Sequence, residues 1–182
     1  MILHLSRPPF SNMRTIVTFI LALFSVVIVS GQGMTLEEAR KVYSESMKDN
    51  AICEAAYTKI SQVANYDSPT LMGYKAAITM AMSKYAKCTK EKVAYFHKGK
   101  LLLESTIAKD DKNVELKFIR YTIQSNCPPA LKYTKNKTTD RTYIIENLAS
   151  VKSTLIRTKI KEYLLQSKDT SPEEKQKLNG FQ

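Results

Sequence analysis

The stretch NVELKFIRYTIQSNCPP, residues 113–129, fits either a strand or a helix, and the choice between them decides the fold. A half-buried strand requires strict alternation of apolar and polar residues, which fails where two large apolar residues, Phe118 and Ile119, are adjacent. A helix places Leu116, Ile119 and Ile123 on one stripe, at spacings of three and four residues. We therefore predict a helix across this stretch.

Residues that favour helix ends flank this stretch and recur along the chain. Asp111 and Asn113 are suitable caps at its start, and the prolines at 128–129 stop it. Further helix starts are indicated by the capping-box pair Thr35 and Glu38 and by the cap Ser68 before Pro69. The segments with helical periodicity are 35–49, 50–65, 68–88, 89–110, 113–126, 139–149 and 153–166.

These segments predict an all-α protein without strands. Short connections favour antiparallel neighbours, so we expect six to seven helices arranged as antiparallel hairpins. A short stack of hairpins and a compact bundle both satisfy the pattern. The apolar stripes predict core residues, among them Ile52, Ala56, Ile60, Val93, Phe96, Leu101, Leu103, Ile107, Leu155, Ile156, Ile160 and Leu164.

Residues 94–121, AYFHKGKLLLESTIAKDDKNVELKFIRY, place an acidic turn, AKDDKN, between two predicted helices. This arrangement resembles the join between tetratricopeptide repeats, where the second helix of one repeat ends before the next. The resemblance covers about one repeat; the proline of the family's turn is missing, and the period of about 34 residues is absent. It implies a short right-handed stack of helical hairpins. In overall texture the chain is also similar to small exported bacterial helical proteins, a similarity that implies no particular site residues.

The N-terminal region has the composition of a secretory signal peptide. Arg14 precedes residues 16–29, IVTFILALFSVVIV, in which only Thr18 and Ser25 are polar, and small residues follow. A membrane span needs about 20 apolar residues, and this run is shorter. The alternative is a retained N-terminal anchor.

Three regions follow from this interpretation. We expect residues 1–31 to be the signal peptide, with cleavage between Gly31 and Gln32, and translation to begin at Met13. Residues 32–166 would form the helical domain, and the polar residues 167–182 a flexible tail with one short helix after Pro172.

The chain is basic, and its charge is unevenly distributed. Its formal net charge is +11, and a leader that contains Arg7 and Arg14 but no acidic residue leaves +9 on the mature chain. Residues 84–100 carry six lysines against one glutamate, and residues 129–168 carry nine basic against three acidic residues. Such regions attract acidic proteins or anionic surfaces, and export argues against a nucleic-acid partner. The candidate binding lysines are Lys84, Lys87, Lys92, Lys98 and Lys100.

The loop SNCPPALKYTKNKTT, residues 125–139, is the least generic part of the sequence. Two prolines stiffen it, and Leu131 and Tyr133 stand among three lysines as candidate binding residues. The alternative is that Leu131 and Tyr133 pin a long connection to the core.

Catalytic and metal-binding motifs are absent from the sequence. The cysteines Cys53, Cys88 and Cys127 include no C-x-x-C pair, so we expect neither a metal nor a cofactor, and a buried free thiol at Cys53 is favoured over a Cys53–Cys88 disulfide. His97 is the single histidine downstream of the leader. The sequence therefore favours an exported, non-catalytic protein-interaction module of the cell envelope, whose partner is another protein or an acidic surface. The alternatives are a hydrolase near His97 and a basic binder of anionic surfaces.

Overall fold

The computed structural model describes residues 33–64 and 68–181, and these ranges contain helices, turns and no strand. The eight α-helices are α1 Leu36–Ser46, α2 Asn50–Ser61, α3 Pro69–Tyr85, α4 Thr89–Lys109, α5 Val114–Asn126, α6 Lys137–Asn147, α7 Thr154–Gln166 and α8 Pro172–Asn179. The all-α prediction is confirmed, with one helix more than expected. The proposed signal peptide, the start at Met13 and the cleavage site between Gly31 and Gln32 lie outside the described residues.

The stretch that was ambiguous in sequence is helix α5, and its cap shows why the helix begins where it does. The side chain of Asn113 accepts a hydrogen bond from the Leu116 backbone N–H at 3.0 Å, so Asn113 rather than Asp111 is the N-cap. Helix α1 begins with the predicted capping box, in which Thr35 and Glu38 each accept a backbone hydrogen bond from the other.

Helices that are consecutive in the chain pack against each other as hairpins as far as α6. In addition, α1 packs against α3, and α3 packs against α5. The helices α1, α3 and α5 thus lie side by side, and α2, α4 and α6 each pack against one or two members of this row. The resemblance to tetratricopeptide repeats stays a prediction. None of the helices in the described ranges is long and apolar enough to cross a membrane.

Helix α3 is the centre of the packing, because α1, α2, α4 and α5 all contact it. Its apolar residues surround the helix rather than form one stripe, as expected of a helix that is buried on most sides. Two glycines permit close approach: Gly73 of α3 meets Leu116 of α5, and Gly99 of α4 meets Ala76 of α3.

Helix α5 contributes to two hydrophobic cores. Its residues Leu116 and Ile119 belong to a core built on α1 to α5, and its residues Val114 and Tyr121 belong to a second core built on α5 to α8. The largest fully buried side chains of these cores are Ile60, Ile78, Leu103, Leu116, Ile119, Tyr121, Ile144, Leu148, Ile160, Leu164 and Leu178.

Four residues predicted to be in the core are exposed: Ile52, Val93, Leu101 and Leu155. Leu101 is 70 % exposed, although Leu103 on the same turn is fully buried. Successive helical residues point about 100° apart, so three consecutive leucines cannot all face one core. The exposure of Val93 has a different reason, which concerns the candidate site described below.

The segment predicted to be a flexible tail differs from that expectation. Helix α8 is present after Pro172, as predicted, but it is packed: a capping box between Ser171 and Glu174 fixes its start, and Leu178 is fully buried in the second core. The Lys161 ammonium also donates a hydrogen bond to the Phe181 carbonyl at 2.5 Å. Because the segment is mostly polar, its sequence does not indicate that Leu178 would be buried in the core.

Candidate functional site

A concave groove of about 950 Å³ is lined by residues of the odd-numbered helices α1, α3, α5 and α7. Its main lining residues are Tyr43 and Met47 from α1, Tyr74, Ala77, Met80 and Ala81 from α3, Phe118, Thr122 and Ile123 from α5, and Ile156 and Tyr163 from α7. The first turns of α4 and residues 127–131 after α5 add further walls. We refer to this surface as the groove.

The groove leaves apolar side chains open to solvent. Phe118 and Ile123 are half-buried, and Met47 and Val93 are each 39 % exposed. The exposure of Val93, which the sequence predicted to be in the core, follows from its place in the groove wall. Contiguous exposed apolar side chains rimmed by polar residues mark interaction sites and ligand-binding grooves.

Aromatic pairs fix the shape of the groove. The rings of Tyr43 and Tyr74 meet edge to face with 5.8 Å between their centroids, and those of Phe118 and Tyr163 do so at 5.4 Å. Such contacts hold bulky rings in one orientation. Burial raises the pKa of Tyr43 to about 12, so its hydroxyl stays neutral at physiological pH.

A charged network beneath the groove joins three of its helices. Glu115 of α5 accepts hydrogen bonds from Arg40 of α1, at 2.9 Å from Nε and 2.6 Å from Nη2, and from the hydroxyl of Tyr74 of α3 at 2.9 Å. Glu115 is buried, so these bonds replace its lost hydration. The relative positions of α1, α3 and α5 are thereby set before any ligand arrives.

The charged side chains that line the groove are all cationic: Arg40, Lys84, Lys92 and Lys159. Arg40 is neutralised by Glu115, and Lys84 donates a hydrogen bond to the Met47 carbonyl at 2.7 Å. Lys92 and Lys159 are exposed, and the ammonium group of neither forms an ion pair or hydrogen bond with any residue that the structure describes. The groove is therefore apolar at its floor and positive at its edge.

Three of the predicted site residues, Lys84, Lys92 and Leu131, are brought together in the groove. Leu131 is half-buried, and it follows Pro129 in a short 3₁₀ turn, Pro129–Leu131, after α5. These three residues come from separate segments of the chain, and the fold places them on one surface. Their role in binding stays a prediction.

The other predicted lysines lie elsewhere. Lys87 is exposed in the turn between α3 and α4. Lys98 donates a hydrogen bond to the Tyr57 hydroxyl at 3.1 Å, beside a smaller cavity of about 320 Å³ between α2, α3 and α4. The Lys100 ammonium lies 4.9 Å from the centre of the Tyr133 ring. The basic stretch is thus distributed over several faces of the protein.

Tyr133 is buried and belongs to a second charged network, whose residues lie outside the lining of the groove. Its hydroxyl donates to Glu104 at 2.5 Å, Glu104 also accepts from Arg120 at 2.7 Å, and Arg120 forms two further 2.7 Å hydrogen bonds with Asp140. Burial, with the hydrogen bond to Glu104, raises the pKa of Tyr133. The ring also meets Phe96 edge to face. This geometry matches the alternative that Tyr133 pins the loop to the core.

The side chains considered for catalysis or metal binding lie apart. His97 is exposed, its ring lies edge to face with that of Phe96, and no described residue forms a hydrogen bond or ion pair with its imidazole. The three cysteines are free: Cys53 is buried beside the Met82 sulfur, Cys88 is exposed, and Cys127 lines the groove. Residues 33–64 and 68–181 contain no cluster of three side chains suited to a metal ion.

Sequence reasoning missed the aromatic residues of the groove, Tyr43, Tyr74, Phe118 and Tyr163. Each lies on or beside an apolar stripe and is indistinguishable in sequence from a core residue. Only the packing of successive odd-numbered helices shows that these stripes leave a common surface open.

Comparison with known proteins adds no relative: no protein-family model, no curated protein and no solved structure matches this chain. The class of protein is therefore defined by fold and site alone. It is an all-α chain of packed helical hairpins that carries a concave apolar groove with a positive edge.

Proposed function

We propose that this chain is an exported, non-catalytic interaction module of the cell envelope that holds a segment of another protein in the groove. The observation that carries the proposal is the open apolar groove of about 950 Å³, whose helices α1 and α5 are joined by the ion pair between Arg40 and the buried Glu115. Export rests on the leader-like composition of residues 1–31.

The size and lining of the groove support a protein segment as its occupant. Small-molecule sites span about 300–1,000 Å³ and use a few convergent polar groups to orient the ligand. This groove lies at the upper end of that range, and its polar side chains do not converge: Arg40 and Tyr74 are occupied by Glu115. A long apolar surface without a polar anchor suits an apolar stripe of a partner.

The arrangement of reactive groups supports a non-catalytic role. A hydrolase at His97 requires an acid or a nucleophile within hydrogen-bond reach, and His97 has no such partner in the described ranges. The site of His97 also lies outside the lining of the groove.

Binding to an anionic surface is the second candidate, favoured by the unpaired Lys92 and Lys159. Against it, Lys98 and Lys100 are engaged with the rings of Tyr57 and Tyr133. A flat basic face is therefore a weaker description of this surface than an apolar groove with basic edges.

A site-specific crosslinking experiment tests the proposed function. A photoreactive amino acid at Ser44, an exposed groove residue, is introduced into the full chain in its native cells. We expect a discrete polypeptide adduct, which Thr122→Trp abolishes by filling the groove. Thr58→Trp is the matched control, because Thr58 and Thr122 both donate to a carbonyl of their own helix and Thr58 lies outside the groove.

The proposed function fails if no polypeptide is crosslinked, or if Thr122→Trp leaves the adduct unchanged. Circular dichroism and thermal unfolding of both variants establish that the two proteins are equally folded.

A further inference from the structure

We infer that the segment held in the groove is an acidic amphipathic helix of about three turns, whose apolar face covers the floor and whose carboxylates meet Lys92 and Lys159. This inference rests on the proposed function and specifies the chemistry of the partner. It follows from three independent properties of the groove: the state of its backbone groups, its volume and its charge.

The backbone argument separates a helix from an extended segment. The helices α1, α3, α5 and α7 present side chains to the groove, and their own N–H and C=O groups are paired within each helix. An extended segment bound as a β-strand takes backbone partners from a sheet edge of its host, and residues 33–64 and 68–181 contain no strand to supply them. A helical segment satisfies its backbone internally, so it can lie on this surface without that cost.

The volume of the groove indicates the length of the bound helix. A helix of about 11 residues is about 16 Å long and about 11 Å across, so that half of it occupies about 800 Å³. The groove offers about 950 Å³. A helix of three turns, buried to half its diameter, thus fits the available space.

The charges that line the groove indicate the sign of the charge on the bound segment. No carboxylate is among the side chains that line the groove, whereas four cations are. Lys92 comes from α4 and Lys159 from α7, and both lack a partner within the part of the chain that the structure describes. An occupant with aspartate or glutamate on its flanks gains two ion pairs at the edge of an apolar, partly dehydrated surface, and a lysine-bearing occupant is repelled.

The test is a selection of 12-residue segments from a randomised display library on the full chain, counter-selected against Thr122→Trp. We expect enriched segments with apolar residues at helical spacings of three and four and with acidic residues on the flanks. Enriched segments with alternating apolar residues, or with basic flanks, overturn the inference but leave the proposed function in place. A library that yields nothing dependent on Thr122 overturns both.

A synthetic peptide of the enriched sequence then tests the two lysines. We expect Lys92→Glu with Lys159→Glu to weaken its binding about tenfold or more, and to favour a copy in which each acidic residue is replaced by lysine. Lys152→Glu with Lys168→Glu is the control of equal charge, since both lysines are exposed outside the groove. Equal weakening by the two pairs shows a general charge effect and contradicts the inference.

The cysteines provide a direct readout of where the peptide binds. Cys127 lines the groove and Cys88 is exposed outside it, so the bound peptide should slow the modification of Cys127 by a thiol reagent and leave Cys88 unchanged. Protection of Cys127 by dodecanoate but not by the peptide identifies the groove as a lipid site and overturns the inference.

Discussion

Gly99 of α4 lies directly against the backbone of Ala76 in α3: a Cβ atom at Gly99 would come to 2.6 Å from the Ala76 carbonyl oxygen. The side chain of Met80, one turn further along α3, meets the same position. The absence of a side chain at Gly99 thus sets how closely the two longest helices pack. Since α3 also forms the centre of the groove floor, this contact positions the site from behind.

We expect Gly99→Ala to lower the free energy of unfolding by about 1–3 kcal/mol, because the added methyl group must displace the α3 backbone. The higher helix propensity of alanine, worth up to about 1 kcal/mol, offsets only part of this cost. Urea unfolding followed by circular dichroism measures the change. Gly180→Ala is the control, since a Cβ there comes no closer than 3.3 Å to the Lys177 carbonyl oxygen, and an equal loss at both glycines would contradict the packing argument.

Replacement of Asp140 by asparagine should destabilise the protein by about 3 kcal/mol. The carboxylate of Asp140 is 1 % exposed and forms two hydrogen bonds with Arg120, which is itself buried. Removal of this charge leaves a buried guanidinium with Glu104 as its remaining carboxylate. The same unfolding measurement gives the change.

The control for Asp140→Asn is Lys59→Met, which breaks the Lys59–Glu38 pair. Both side chains of that pair are close to half exposed, so the loss should stay within about 1 kcal/mol. A similar cost for the two variants would show that burial of the Arg120 pair contributes nothing extra.

The protein should lose stability as the pH rises above about 10, the pKa of an unfolded tyrosine. Burial raises the pKa values of Tyr74 and Tyr133, and the carboxylates that accept hydrogen bonds from their hydroxyls, Glu115 and Glu104, raise these pKa values further. Both tyrosines hold their protons more tightly in the folded state. Their contribution is therefore complete below pH 10 and is lost above it, by up to about 1.4 kcal/mol per pH unit for each tyrosine.

The alkaline prediction is measured by urea unfolding from about pH 8 to pH 11. Tyr74→Phe should lower the stability at neutral pH, because one hydrogen bond is lost, and should make its decline above pH 10 shallower. Tyr95→Phe is the control, since the half-buried Tyr95 ring packs on Tyr57 without a carboxylate at its hydroxyl. An unchanged slope in Tyr74→Phe would show that another group governs the alkaline transition.

Export predicts the mass of the protein recovered from native cells. We expect an intact-mass spectrum, recorded without reductant, to match a chain that begins at Gln32 and is found in the soluble envelope fraction or the medium. The same spectrum should show three free thiols, in agreement with the unpaired Cys53, Cys88 and Cys127. A chain that retains Met13 in the membrane fraction would contradict export by a cleaved leader and identify residues 16–29 as an anchor.

The helices were predictable because their determinants are local. The Thr35–Glu38 capping box, the Ser68 cap and the Asn113 cap each join residues three apart. Both partners of each interaction can therefore be read from four consecutive residues. The adjacency of Phe118 and Ile119 was likewise sufficient to exclude a strand in α5.

The groove and its supporting networks were not predictable because their partners are distant in the chain. Arg40 and Glu115 are 75 residues apart, and no feature of either residue's neighbours indicates the other. Exposure was missed for a related reason: the stripe that contains Val93 is apolar whether it faces a core or a groove. The buried Leu178 shows the opposite error, since a polar segment concealed a residue of the core.

The position of α5 between the two cores has a consequence for cooperativity. Arrays of helical hairpins held by contacts between neighbours can fray from their ends. Here Glu115 ties α5 to α1 and α3, and Arg120 ties α5 to α4 and α6. Undocking α5 therefore opens both cores and separates Arg40 and Arg120 from their carboxylate partners. Unfolding should therefore be all-or-none over the whole array. Proteolytic cuts on both sides of α5 would therefore abolish the groove completely rather than leave a shorter one.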